Sequence, residues 1–477
     1  MSQRRGATLA TLLCLTAAAS VDAGPPAYQV QDIVPGAGSS VPTELEPATA
    51  LFSSTPTLLF SAATPAAGRE LWRTDGTSLS TFMIKDIAPG IDGGVPLGLL
   101  RTGVFSSTVY FSARDAVNGR ELWKSDGTLG GTVLVKDVRP GPDDSSPSSL
   151  AAVPSGFLSS TLFFAANDGT HGLELWKSNG TDAGTVLVVD IEPGPTQSRP
   201  QELVNVNGTL FFSAITSARG QELWKSDGTA AGTVLVKDIF PGNQYSSPRE
   251  LTPLGSLLFF VADNGTDGRE LWMSDGTAGG TVMVKDLEPT GPSFPQGLTV
   301  WNGILYFTAE VTGLGRELFK SDGTVAGTDL VRDVNPGAPS STPERLTPSG
   351  GSLFFRADDG LSGVELWKSD GTLAGTALVK DVNPGLPSSI PRSLTDLKGT
   401  LFFVADDGVS GTELWRSDGR DGGTFRVQDI APGALGSDPI ALTPMIDLLY
   451  FVADEGVTGQ ELWAADFIFG NGFEPAP

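Results

Sequence analysis

Apolar residues in this chain come in short runs, and glycine, proline, aspartate or asparagine stands at almost every break between them. Residues 344–385 show the pattern in full: runs lie around Leu346, from Leu353 to Ala357, from Glu365 to Ser369 and from Ala377 to Val382. Runs this short, rich in Val, Phe, Leu and Trp and bounded by turn residues, predict strands joined by hairpins. The unit therefore reads as a four-stranded antiparallel sheet. Within the runs, apolar and polar residues do not alternate. Leu353, Phe354 and Phe355 are consecutive, and Leu366 and Trp367 must point to opposite faces. Both faces need burial, whereas a sheet wet on one side would alternate. Stacking each sheet between two copies of itself meets that need, as in the blades of a propeller.

The unit is repeated. Glu-Leu-Trp, once Glu-Leu-Phe, begins at Glu70, Glu121, Glu174, Glu222, Glu270, Glu317, Glu365, Glu413 and Glu461, at intervals of 47 to 53 residues. A fixed period of that size marks a tandem array. The last copy has the runs Leu448 to Ala453 and Glu461 to Ala465 but no fourth run after them. A fourth run, YQVQDIVPG from Tyr28 to Gly36, stands ahead of the first complete unit. Nine Glu-Leu elements are matched by nine fourth-strand aspartates, from Asp32 to Asp429, when this N-terminal strand completes the last sheet. The expected fold class is all-β: a single closed β-propeller of nine four-stranded blades, with an open β superhelix of nine repeats as the alternative. Closure pairs the strand edge that an open array would leave bare in its last unit.

Composition narrows the function. Gly 60 and Pro 34 suit a turn-dense β protein. Asp+Glu 55 against Lys+Arg 31 gives a formal charge of −24, which argues against nucleic acid or an anionic membrane as partner. One histidine and one cysteine leave little room for Ser-His-Asp, Cys-His or zinc chemistry. The start of the chain, MSQRR followed by ATLATLLCLTAAAS, has the layout of a secretory signal peptide over residues 1–23, with cleavage near Ala23. Cys14 lies inside it, so the exported chain would hold no disulfide and would rely on burial and strand pairing. No later apolar run approaches the roughly 20 residues of a membrane span. The expected organisation is a propeller over residues 24–466 and a C-terminal tail, FIFGNGFEPAP, over 467–477.

The recurring phrases ELWRTDGT at Glu70, ELWKSDGT at Glu121, Glu222 and Glu365, and ELWMSDGT at Glu270 resemble the bacterial ELWxxDGT repeat family. Departures are ELWKSNGT at Glu174, ELFKSDGT at Glu317, ELWRSDGR at Glu413 and ELWAAD at Glu461. The resemblance covers most of the chain. It implies an exported bacterial repeat protein and assigns no reaction.

The repeated residues read as architecture. Trp123, Trp224 and Trp367, with their equivalents, are expected in the core between blades rather than on a sugar-stacking platform. Asp126, Asp227 and Asp370 precede glycine in a turn, where a carboxylate accepts N–H groups two residues on. Asn179 fills that place once, so charge is not required. Glu121, Glu222 and Glu365, and the fourth-strand Asp137, Asp238 and Asp381, sit in apolar strands and must be paired where buried. Lys136, Lys237, Lys285 and Lys380, next to those aspartates, are candidate partners.

Acidic residues gather in some loops after the second strand. Asp358, Asp359, Asp406 and Asp407 are calcium candidates, although the regular ligand ladder of a calcium loop is missing. No other metal, cofactor or catalytic set stands out, and His171 reads as a solvated loop residue. The expected function is a secreted or cell-surface, monomeric, non-catalytic binding or scaffold protein that presents loops to a protein or polysaccharide. A carboxylate-dependent extracellular glycan-active enzyme and a structural surface-layer spacer are the alternatives.

Overall fold

The computed structural model describes residues 27–49, 56–103, 106–156 and 159–466. The expected signal peptide with its boundary near Ala23 and the C-terminal tail at 467–477 lie outside the described residues. Among the described residues are nine four-stranded antiparallel sheets, set as the blades of one ring. In blade 7 the strands are Glu344–Ser349, Ser352–Asp358, Val364–Ser369 and Ala377–Lys380, matching the four apolar runs. Eight blades take their strands in chain order. The ninth joins Ile440–Met445, Leu448–Asp454 and Gln460–Asp466 to Ala27–Gln31. At this seam Ala27 lies opposite Ala465, Tyr28 opposite Ala464, Gln29 opposite Trp463 and Gln31 opposite Leu462.

The first strands of successive blades are neighbours all the way round, Thr43–Pro47 against Ile440–Met445 included. They therefore line the axis, and the open superhelix is excluded. Nine hydrophobic clusters fill the nine blade junctions among the described residues. The closing junction resembles the others: Val30, Ile33, Tyr450 and Leu462 meet Leu58, Phe60 and Trp72. Consecutive residues are buried on both faces, as with Leu353, Phe354 and Phe355, because each sheet is covered on both sides.

The connections between blades carry a feature that apolar periodicity does not reveal. Each blade is entered through a residue followed by proline, from Val41-Pro42 to Asp438-Pro439, and that residue has φ between 44° and 50° in all nine copies. Val41, Val95, Thr342 and Ile390 are β-branched, for which a left-handed backbone is costly. The surroundings hold it in place: the Val41 N–H donates to the Gln460 carbonyl at 3.1 Å and the Ile390 N–H to the Val364 carbonyl at 3.2 Å. Three residues further on, a second left-handed residue, φ 53° to 68°, bulges the first strand at Glu44, Gly98, Ser149, Glu202, Glu250, Gly297, Arg345, Ser393 and Ala441. In blade 7 the register passes from Glu344 opposite Arg356 to Thr347 opposite Phe354, one residue longer on the axial side.

Candidate functional site

The glutamate before Leu-Trp is fully buried in every copy. It ties the third strand to the connection leading into the next blade. Glu121 accepts the N–H of Val138 at 2.8 Å, the N–H of Ser145 at 3.0 Å and the Ser145 hydroxyl at 2.6 Å. Glu222 accepts from Ile239, Phe240 and the Ser246 hydroxyl, and Glu365 from Val382 and both donors of Ser389. Glu461 does the same across the seam with Ile33 and Ser40. In blade 1, glycine stands at the serine's place. Glu70 accepts from Ala88 and Gly94, and its Oε2 lacks a partner among the described residues. The serine partners were missing from the sequence reading. Their signal is a Ser-x-Pro triplet ahead of the first strand in every copy except Gly94-Val95-Pro96.

Burial raises these carboxyls above their ordinary value, and Glu121, Glu174, Glu222 and Glu270 reach about 7 in spite of their donors. A carboxyl raised by folding holds its proton more tightly in the folded chain than in the unfolded one. Its stabilising contribution is complete below the ordinary carboxylate value and is lost as pH climbs through about 7. Relief of the net charge of −24 at lower pH acts in the same direction. The melting temperature is expected to fall between about pH 5 and about pH 8, and Glu222→Gln to make that fall shallower. Scanning fluorimetry across this window checks both; a flat or rising profile contradicts the assignment.

The other repeated residues also serve the blades. Trp123 and Trp367 are 5% and 4% exposed and pack against the preceding blade, while Trp224 is only partly buried. In the turns, Asp126 accepts the N–H of Thr128 at 2.9 Å and its hydroxyl at 2.7 Å. Asp227 and Asp370 bond Thr229 and Thr372 alike. Asn179 accepts the same pair of bonds from Thr181, so the turn needs an oxygen and not a charge.

Asp137 and Asp381 each accept a glycine N–H four residues on, and Asp238 pairs with Arg219. The neighbouring lysines do not pair with these aspartates. Lys237, Lys285 and Lys380 reach the next blade, donating to the carbonyls of Thr281, Thr328 and Thr424, and Lys136 pairs with Asp182. A four-carbon stem lying along the sheet carries each ammonium past its own aspartate to the following blade.

Asp358 and Asp359 accept N–H groups of their own turn, from Gly360 and from Leu361 and Ser362. Asp406 and Asp407 do so from Gly408 and from Val409 and Ser410, and Arg426 lies 3.6 Å from Asp407. Among the described residues, no three His, Cys, Asp or Glu side chains gather into a metal cluster. His171 bonds through Nδ1 to Asp168 at 2.7 Å, which raises its pKa. Among the described residues no hydroxyl bonds to its Nε2.

At the axis, the bulged residue of one blade faces the next. Where it is glutamate, its carboxylate caps backbone donors there. Glu44 Oε2 accepts from Gly98 at 2.9 Å and Leu99 at 3.3 Å, Glu202 Oε2 from Glu250 at 3.0 Å, and Glu250 Oε2 from Leu298 at 3.0 Å. Two cavities open along this rim. One of about 580 Å³ crosses blades 4 to 7, lined by Glu202, Glu250, Leu251, Thr252, Gln296, Gly297, Leu298, Thr299, Glu344, Arg345 and Leu346 among others. Its charges are mixed: Arg356 holds Glu344, and Arg316 lies in the field of Glu250 and Glu344. The other, about 480 Å³, lies between blades 2 and 3. Neither was anticipated from the sequence, because the rim is assembled from residues one repeat apart.

No family model and no curated protein matches the chain. Solved structures do. The crystal structure of puromycin hydrolase is 15% identical, over 75% of this chain and 58% of that one, with a TM-score of 0.38. A Mycobacterium tuberculosis puromycin-hydrolyzing peptidase is 13% identical over 76% and 58%, with a TM-score of 0.39. A structure from a study of two prolyl endopeptidases is 14% identical over 76% and 52%, with a TM-score of 0.39. The chain thus spans between half and three-fifths of the length of these proteins. These proteins are a hydrolase and peptidases, enzymes where a non-catalytic binding or scaffold protein was expected, and that expectation, with its two alternatives, is corrected. Identities and TM-scores this low carry no activity over to this chain.

Proposed function

We propose that this chain acts on peptides, as a propeller that receives a peptide segment at the mouth of its axis. The observation that carries this reading is the rim of bulged first strands. It offers backbone N–H groups that already donate to carboxylates, a leucine after every bulge from Leu45 to Leu442, and the cavity of about 580 Å³ over blades 4 to 7. Backbone donors in a left-handed turn capture carboxylates, and alternating apolar and polar lining suits side chains of an extended segment. A cavity of this size lies within the usual range for small ligands and holds a few residues.

The test is titration of the purified protein with a set of fluorescent decapeptides of mixed composition, read by polarisation. Saturable binding is expected, weakened by about tenfold or more when Thr299→Trp fills the cavity, a change of about 1.4 kcal/mol. No saturable binding, or binding indifferent to Thr299→Trp, overturns the reading. Mass spectrometry of the same mixtures reports any cut peptide bond.

A further inference from the structure

We propose that the cavity between blades 2 and 3 is a carboxylate pocket, which takes an acidic group of the bound peptide: its C-terminal carboxylate or an Asp or Glu side chain. The proposal rests on the peptide reading of the axial mouth and gives one part of it a chemistry.

Three glutamates of the chain show what the rim donors bind. Glu44, Glu202 and Glu250 each place a carboxylate oxygen on the N–H groups of the next blade's bulge. At blade 2 the equivalent residue is Gly98, φ 65°, and it has no side chain to send forward. The donors it would have capped belong to Ser149, φ 53°, and Leu150, which stand in blade 3 where Gly98 and Leu99 stand in blade 2. Both residues line the cavity of about 480 Å³. The missing glutamate and the open space coincide.

The rest of the lining fits an acid. Arg120 is the charged residue among the lining side chains, with hydroxyls from Ser112, Ser146, Ser148 and Ser149. Its Nη1 donates to the Val95 carbonyl at 2.9 Å and to the carbonyl and hydroxyl of Ser112 at 3.4 Å. The nearby Asp144 is occupied, accepting the Arg120 backbone N–H and pairing with Arg114. Leu97, Leu99, Leu100 and Leu150 supply an apolar wall for a side chain beside the acid. The larger cavity also has a glycine at its bulge, Gly297, but Glu202, Glu250 and Glu344 line it and repel a second carboxylate.

A blocking variant follows from the same geometry. A Cβ on Gly98 meets nothing within 4 Å, and glutamates at Glu44, Glu202 and Glu250 already occupy this backbone conformation at φ 55° to 57°. Gly98→Glu should therefore fold and fill the pocket with its own carboxylate. The probes are N-acetyl-Ala-Leu-Leu with a free carboxylate, its C-terminal amide, N-acetyl-Ala-Leu-Glu amide, and glutarate, each titrated by calorimetry. Either acidic peptide is expected to bind about tenfold or more tighter than the plain amide, and the two identify which source of carboxylate is used. Gly98→Glu is expected to abolish that preference while the protein still unfolds in a single cooperative transition. Equal binding of acid and amide, or an unchanged preference in Gly98→Glu, overturns the pocket while leaving peptide binding at the mouth intact. Binding of glutarate, blocked by Gly98→Glu, with no peptide bound at all, overturns the peptide assignment instead.

Discussion

A chain shortened to begin after Gly36 is expected to unfold far below the full-length protein, whereas one lacking residues 467–477 should not. The first deletion removes the strand Ala27–Gln31 and the buried Val30 and Ile33, and leaves Glu461 without the Ile33 N–H. Burying one aliphatic side chain is worth about 1.5–3 kcal/mol, so Val30 and Ile33 alone account for about 3–6 kcal/mol. The loss is amplified by topology, since Gln460–Asp466 becomes an open edge in a sheet that was paired. Thermal and urea unfolding of the two truncated chains measure the difference. Light scattering is expected to show edge-to-edge association of the first. If both deletions shift the midpoint by less than about 2 °C, the seam does not hold the ring.

Trp367→Ala carries the second large effect, a loss of about 3–5 kcal/mol. The indole is 4% exposed among Leu318, Val331 and Phe355, and the Arg332 guanidinium lies 5.9 Å from its ring centre. Truncation opens a cavity between two blades that cannot collapse, because the junctions on either side are already packed. Trp224, only partly buried against its junction, is the internal comparison, and Trp224→Ala should cost no more. Urea denaturation of both variants decides it: a loss below about 1 kcal/mol at Trp367 would show that the ring does not depend on this packing, and equal losses would show that the partial exposure of Trp224 does not lessen its share.

The blades were legible because their signal is local. Two-sided burial can be read from Leu353-Phe354-Phe355, and the turns from Asp126-Gly127 and its copies. The seam was legible through a count: the unpaired run at Tyr28 had to be matched with the unpaired edge at Glu461. The buried Glu121 and Glu365 were recognised as needing partners, but Ser145 and Ser389, 24 residues downstream, were not recognised as supplying them. A hydroxyl that far along the chain carries no local mark. The lysines mislead for a related reason, since adjacency of Lys237 to Asp238 says nothing about where a long side chain ends.

Composition and periodicity by themselves determined nine four-stranded β units, with Trp expected between sheets and the Asp before Gly in turns, and the strand count pointed to a ring; the structure then excluded the open superhelix. These follow from local chain geometry and from the requirement that both faces of every sheet be covered. The rim at the axis was decided by tertiary structure alone. There, Glu44 meets Gly98 and Gly98 faces Ser149, residues about fifty positions apart that become neighbours only when consecutive blades pack against each other. Whether a bulge carries glutamate or glycine looks like neutral variation in a line of sequence. In the ring, glutamate at the bulge caps backbone donors of the next blade, and glycine at Gly98 leaves a cavity beside Ser149 and Leu150.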